Sequence, residues 1–273
     1  MATILLTSLS GSPGVSTATL ALAMNWPRPV LMIEADIARY SAVMPGYLRG
    51  QEKHSKGMGE IPVSVRGSAE GLTIHHLLGH SIGLDSPDKP LKKVVPGFRD
   101  PAAAGSWRDL WGQLGAAAAT LEQSGADVLI DAGRWAPKDP RALLLPQIDQ
   151  ILVLATPDLP SLVAAHHRMP ELQLTLESGG RPGDSLLVSP AATPHSGAYG
   201  RRETSKVLGV ETTTPLEWDP RAAAIFSHGE PARKTFTKTK FGRSIITLQT
   251  ELLNKIDAQR KLLFRDSEPA RTR

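Results

Sequence analysis

The chain has 273 residues, 41% of them hydrophobic and 21% charged, which suits a soluble globular protein with a sizeable core. It contains no cysteine, which excludes disulfides and thiolate metal sites and fits a reducing compartment. A net charge of +4 and a pI near 9.4 permit nucleic acid or anionic lipid as a partner without requiring either; no charged leader and no run of about 18 apolar residues is present, so neither signal-peptide secretion nor a spanning helix is expected.

In chain order, Thr3–Thr7 is an apolar run that predicts a buried first strand. Gly11-Ser12-Pro13-Gly14-Val15-Ser16-Thr17 follows as a glycine-rich turn, and Ala18–Met24 predicts a helix. Val30–Ile33 predicts a second strand running into Glu34-Ala35-Asp36. From about Ser41 to Asp100 the chain is rich in Gly, Pro and polar residues, which predicts an irregular excursion with one or two short helices. Ala102–Gln123 predicts a helix, with Trp107, Leu110, Trp111, Leu114 and Leu121 at helical spacing. Val128–Ile130 predicts a strand ending in Asp131, and Ile151–Ala155 another. Helix Leu159–Leu176, strand Leu186–Val188, helix Arg201–Leu208, a weaker strand Thr213–Trp218 and helix Ile245–Leu263 complete the series, before a polar tail, Asp266–Arg273, expected to be disordered. Alternating strands and helices predict one α/β domain over residues 1–265, a doubly wound, mostly parallel sheet with helices on both faces.

Strand, glycine-rich turn and helix in that order make a phosphate cradle, with backbone N–H groups pointing inward and a helix N-terminus favouring negative charge. In G-x-x-x-x-G-K-[ST] the lysine after the second glycine neutralises the β- and γ-phosphates; here that position is Val15. Asp36 and Asp131 end apolar strands, and in doubly wound folds such positions line the ligand crevice. Acidic residues placed so suit Mg²⁺ coordination or the positioning of a water, and Ser16 sits where a loop hydroxyl meets the metal.

Taken as an ordered set, these segments resemble the ParA/MinD family of deviant phosphate-loop ATPases. The family's K-G-G-x-G-K-[ST]-[ST] aligns without a gap on Ser10-Gly11-Ser12-Pro13-Gly14-Val15-Ser16-Thr17, its D-x-D on Glu34-Ala35-Asp36, and its Walker B strand on Val128–Asp131. Ile151–Asp158 resembles the following strand and turn, and Trp218-Asp219-Pro220 with Ser227-His228-Gly229 resembles the family's end, so the likeness covers residues 2–260. The resemblance implies ATP and Mg²⁺ as ligands, with Gly11, Ser12, Pro13, Gly14, Val15, Ser16 and Thr17 around the nucleotide, Ser16 and Asp131 on the metal, and Asp36 positioning water. It also implies a nucleotide-sandwich homodimer and a protein partner in a partition, pilus or secretion apparatus. Both family lysines are missing, at Ser10 and Val15, and Pro13 removes one backbone N–H. Such a degenerate loop is similar to the CpaE/TadZ-type relatives, and the resemblance then implies a dimerising positioning or scaffolding factor with weak nucleotide binding and little hydrolysis.

Two alternatives stand beside that reading: an active ATPase whose lysines are replaced by Arg39, Arg134 or Lys138, and a DNA or membrane adaptor independent of nucleotide. The basic run Arg233-Lys234, Lys238, Lys240 and Arg243, interleaved with Phe236 and Phe241, offers DNA phosphates or anionic lipid a surface, or else is a solvated loop. The expected location is cytoplasmic, with peripheral membrane contact as a variant. Gly11–Thr17 also reads as an ordinary tight turn, and Asp36 and Asp131 as turn-forming residues. His75, His76, His80, His166 and His167 read as structural or solvated, Trp107 and Trp111 as packing residues, and the last helix as packed on the sheet.

Overall fold

The computed structural model describes residues 2–85, 88, 91–123, 125–181, 183–194, 199–231 and 235–266. Strands that are apolar at both odd and even positions can be satisfied only by cover on two faces. β1 (Thr3–Ser8), β2 (Val30–Glu34), β3 (Ile82–Gly83), β4 (Lys92–Val95), β5 (Asp127–Arg134), β6 (Gln150–Ala155) and β7 (Leu186–Pro190) form one sheet in the order β3-β4-β2-β5-β1-β6-β7. Neighbouring strands are parallel, apart from the antiparallel β3–β4 pair.

Leu5, Leu31, Ile33, Val128, Ile130, Ile151 and Val153 point to one face, under α4 (Trp111–Gln123), α5 (Leu159–Ser178) and α6 (Arg201–Leu208). Ile4, Leu6, Val30, Met32, Leu129, Leu152 and Leu154 point to the other, under α1 (Val15–Asn25), α7 (Pro220–Ser227) and α8 (Lys240–Asp266). This is a doubly wound α/β architecture, with two cores separated by one sheet.

Four expectations need correction. The excursion holds two short helices, Ile61–Val65 and Ile74–Gly79, but it also supplies β3 and β4. β4 escapes a hydrophobic reading because it begins Lys92-Lys93; Lys92 is buried and its ammonium donates to the Trp26 and Arg28 carbonyls. The helix expected from Ala102 is a 3-10 helix, Pro101–Trp107, capped by Asp100, and then α4. Trp107 and Trp111 straddle the break, both fully buried with ring centroids 4.8 Å apart, so they are core residues. Thr213–Trp218 forms no strand: it makes one isolated bridge, Leu216 with Ala191, and a second, Thr212 with Val188, lies just before it. The last helix starts at Lys240 and buries Ile245, Leu248, Leu252 and Ile256 on the sheet. Asp266 ends it, while the remainder of the expected tail, 267–273, lies outside the described residues.

Candidate functional site

β2, β5 and β1 are adjacent and parallel, so their carboxyl ends bring three connections together. The loop after β1, Asp36 after β2, and Gly133 and Arg134 at the end of β5 meet around a cleft of about 530 Å³, and Asp131 lines a small adjoining pocket that shares Ser16, Asp36, Arg39 and Ala42 with it. Gly11, Ser12, Gly14, Val15, Ser16, Thr17, Asp36, Arg39 and Arg134 are among the cleft's lining residues; Pro13 and Lys138 are not.

α1 begins at Gly14, whose φ of 85° suits glycine and whose carbonyl accepts from Ala18 N–H at 2.9 Å. The cap has no side-chain hydrogen bond, and the first N–H groups of the helix have no acceptor in its own ladder. Val15, however, is only 6% exposed and packs its side chain with the core beneath α1, α7 and α8. At the loop's leading edge, Ser10 Oγ donates to Ser161 O at 3.0 Å and Arg168 Nη1 to Leu9 O at 3.0 Å, so α5 holds this flank.

The three acidic residues have distinct surroundings. Glu34, in register with Asp131, is buried at the strand end and accepts from Ser41 Oγ (2.5 Å), Ala42 N (2.8 Å), Val43 N (3.1 Å) and Gly97 N (2.9 Å). It pins the turn that carries Ala42 and Val43 into the cleft wall. Burial raises its pKa, and these four hydrogen bonds oppose the rise. Asp36 Oδ1 accepts from Ala38 N at 2.9 Å, and a Cβ placed on Gly133 would lie 2.0 Å from Asp36 Oδ2, so the carboxylate fills the space a side chain at 133 would need. Gly133 also has φ 53°, so glycine is required there twice over.

Asp131, 1% exposed, accepts from Gly133 N through Oδ1 at 2.9 Å, while Oδ2 is buried with no hydrogen-bond partner. Burial pushes its pKa up to about 7; the nearby Ser16 hydroxyl pulls it down, Glu34 raises it, the Gly133 N–H lowers it and Asp36 raises it. Both expected aspartates therefore form the turns of the plain structural reading, each with one oxygen; Asp36 faces the cleft of the loop, and Asp131 the small pocket that adjoins it at Ser16.

Some residues that shape the site were not legible as such. Arg141, 0% exposed, pairs with Asp139 at 2.6 Å and donates to the carbonyls of Ala35 (2.9 Å), Ala132 and Arg134 (2.8 Å), tying the ends of β2 and β5 together. Its surrounding Lys138-Asp139-Pro140 reads from sequence as a surface turn. Arg134 donates through Nε (3.1 Å) and Nη2 (2.6 Å) to Gly11 O, across the cleft mouth.

Of the basic run, Lys238, Lys240 and Arg243 are exposed, and Arg233 and Lys234 lie outside the described residues. Phe236 and Phe241 are buried in an aromatic cluster with Phe226, which removes them as a stacking platform. His166 Nδ1 lies 2.7 Å from Val207 O and His76 Nδ1 2.9 Å from Thr73 Oγ1; among the described residues no group of His, Asp and Glu is arranged to hold a metal on its own. Among the described residues, too, no helix is long and apolar enough to cross a membrane.

The sequence matches no protein-family model and no curated protein. The fold does have solved counterparts. A ParA family ATPase from Chlorobium tepidum superposes with a TM-score of 0.66 at 14% identity, over 91% of this chain and 98% of that one. The septum site-determining protein MinD of Pyrococcus horikoshii, solved with Mg-ADP, gives 0.65 at 16% identity over 92% and 95%. Apo McdA of Cyanothece gives 0.68 at 15% identity over 92% and 99%. Sheet order, cleft position and these superpositions agree: the chain has the P-loop NTPase-like α/β fold of ParA and MinD.

Proposed function

We propose that this protein is a ParA/MinD-like positioning or scaffolding factor with a degenerate phosphate loop. It holds ATP and Mg²⁺ weakly, hydrolyses ATP very slowly, self-associates, and serves a partition, pilus or secretion apparatus in the cytoplasm or at the membrane periphery. The observation that carries the reading is the cleft: helix N–H groups, Ser16 and Asp36 meet there and Asp131 adjoins them in the pocket beneath, while the Val15 side chain is packed into the core. Asp131 fits a metal, because its Oδ2 is buried without a partner beside the loop hydroxyl of Ser16. Proteins of this fold have been solved with Mg-ADP, for P. horikoshii MinD, and with ATP, for a variant of McdA. Loss of one fixed cation from a developing phosphoryl charge costs about 3–4 kcal/mol by analogy with lost oxyanion donors, or about 10²–10³ in rate. Ser10, the second lysine position, spends its hydroxyl on α5 and offers no charge to a partner subunit.

Calorimetry with ATP, ADP and Mg²⁺, followed by a turnover assay, tests this. Weak binding with negligible turnover supports it. Turnover at the level of a lysine-bearing P-loop ATPase, abolished in Asp36→Ala, supports the active-ATPase alternative. No nucleotide binding leaves the DNA or membrane adaptor, whose contact through Lys238, Lys240 and Arg243 must weaken with salt. A strict monomer in sedimentation at micromolar concentration removes self-association from the account.

A further inference from the structure

We propose that the cation serving the phosphates in this cleft is Arg134, delivered from the end of β5 in place of a lysine on the loop. The inference rests on the phosphate-binding reading above and names the residue that makes it work. Three observations converge on Arg134. Between Leu6 paired with Asp131 and Ser8 paired with Arg134, β5 contains one more residue than β1, a bulge that coincides with the positive φ of Gly133. Bulges re-aim side chains, and this one turns Arg134 from the sheet over the loop. There its Nε and Nη2 both reach the single carbonyl oxygen of Gly11, at 3.1 and 2.6 Å.

Second, Arg134 and Arg39 both line the cleft, and neither forms an ion pair among the described residues. Two uncompensated guanidiniums beside helix N–H groups select an anion. Third, the partner that Arg134 now holds is a poor one. A neutral carbonyl gives a guanidinium one oxygen, whereas a phosphate gives two charged ones in matching geometry and bonds about twice as strongly. An incoming phosphate therefore displaces Gly11 O, and the contact seen here holds the guanidinium in place until it does. Lys138 and Arg168 fail on position, Lys138 lying outside the cleft lining with its N–H on Glu171 Oε1 at 2.9 Å and Arg168 gripping Leu9 O from the α5 side, while Arg39 lines the cleft and Arg134 is the one of the pair bonded to the loop.

The test is calorimetry with inorganic tripolyphosphate, ATP and adenosine on the wild type, Arg134→Gln, Arg134→Lys and the double variant Val15→Lys/Arg134→Gln. Tripolyphosphate separates charge recognition from recognition of the base, for which adenosine is the control. Arg134→Gln should lose about tenfold or more in affinity for both anions, with Arg134→Lys between it and the wild type. A loop lysine in the double variant should restore most of the loss. Gln keeps hydrogen-bond donors without charge, so anion affinity within about twofold of the wild type, with or without a shift in melting temperature, makes Arg134 a brace for Gly11 and overturns the proposal. Failure of the wild type to bind either anion overturns it together with the phosphate-binding reading, and is thereby distinguished from failure of Arg134 alone.

Discussion

Replacing Glu34 by alanine should destabilise the protein by about 3–5 kcal/mol, the range for breaking a buried charged network by removing one partner. The carboxylate accepts four hydrogen bonds, two on each oxygen: Ala42 N and Val43 N on Oε1, Ser41 Oγ and Gly97 N on Oε2. Each buried donor left without an acceptor costs about 1–3 kcal/mol, less whatever water entering the space recovers. Relief of the buried charge works in the other direction. Because the pKa is raised, the ionised side chain is a net burden at neutral pH, and its stabilising contribution is fully present only below the unfolded carboxylate pKa. Glu34→Gln separates the two effects. It removes the charge and keeps the shape, but its amide can accept on one oxygen only, and its NH₂ faces two donors. We expect a loss of about 1–3 kcal/mol. Urea melts followed by the fluorescence of the five tryptophans, of which Trp26, Trp107, Trp111 and Trp135 are buried, measure both. A Glu34→Ala protein within about 1 kcal/mol of the wild type, or a Glu34→Gln protein more stable than it, refutes the idea that this carboxylate clamps the turn from Ser41 to Val43.

Asp131→Asn, measured with a chelator present, should raise stability at pH 8 by about 2–4 kcal/mol and leave it nearly unchanged at pH 4. The sign follows from a native pKa of about 7 against an ordinary 3.8: the folded state holds the proton more tightly, so the wild type loses stability as pH rises between those values. Val15→Lys should strengthen tripolyphosphate binding in calorimetry about tenfold while lowering stability by about 1–2 kcal/mol, since the buried valine methyl groups leave the core. Arg141→Met should cost about 3–5 kcal/mol in the same melts, because Asp139 is left buried and unpaired and three strand-end carbonyls lose their donor.

Where the sequence carried a period or a strand–turn–helix order, it was readable. β1, β2, β5, β6 and β7 stand out as short apolar runs because both faces of the inner strands are buried, and α6 over Arg201–Leu208 is bounded by Gly200 and Gly209. The approach of Ser16, Asp36 and Asp131 to one another also follows from strand-end position. β4 was hidden because the apolar stems of two lysines do duty for a hydrophobic run, and a buried ammonium bonded to carbonyls has no local signature. Trp107 and Trp111 lie at helical spacing although the helix does not continue between them, because two separate pieces of chain both direct a tryptophan into the same core. Arg141 and Glu34 could not be assigned from sequence, since their roles consist of contacts to carbonyls and N–H groups remote along the chain. Val15 was read as a missing charge; that it is also a core residue depends on which way the first turn of α1 faces.

That last point bears on what kind of site survives. In Asp131 the fold uses one oxygen: Oδ1 closes the turn onto Gly133 N, a task an asparagine oxygen performs equally well. The second oxygen lies buried without a well-formed hydrogen bond, beside a Ser16 hydroxyl that lowers the pKa burial has raised. Asp36 differs in being partly exposed, with Oδ1 on Ala38 N and Oδ2 filling the space above Gly133. The fold accounts for one oxygen of Asp131; on the proposed reading, a cation beside Ser16 takes up the other. On the same reading the carboxylates serve binding, Val15 belongs to the core, and the cation that meets the phosphates comes from Arg134 at the end of β5.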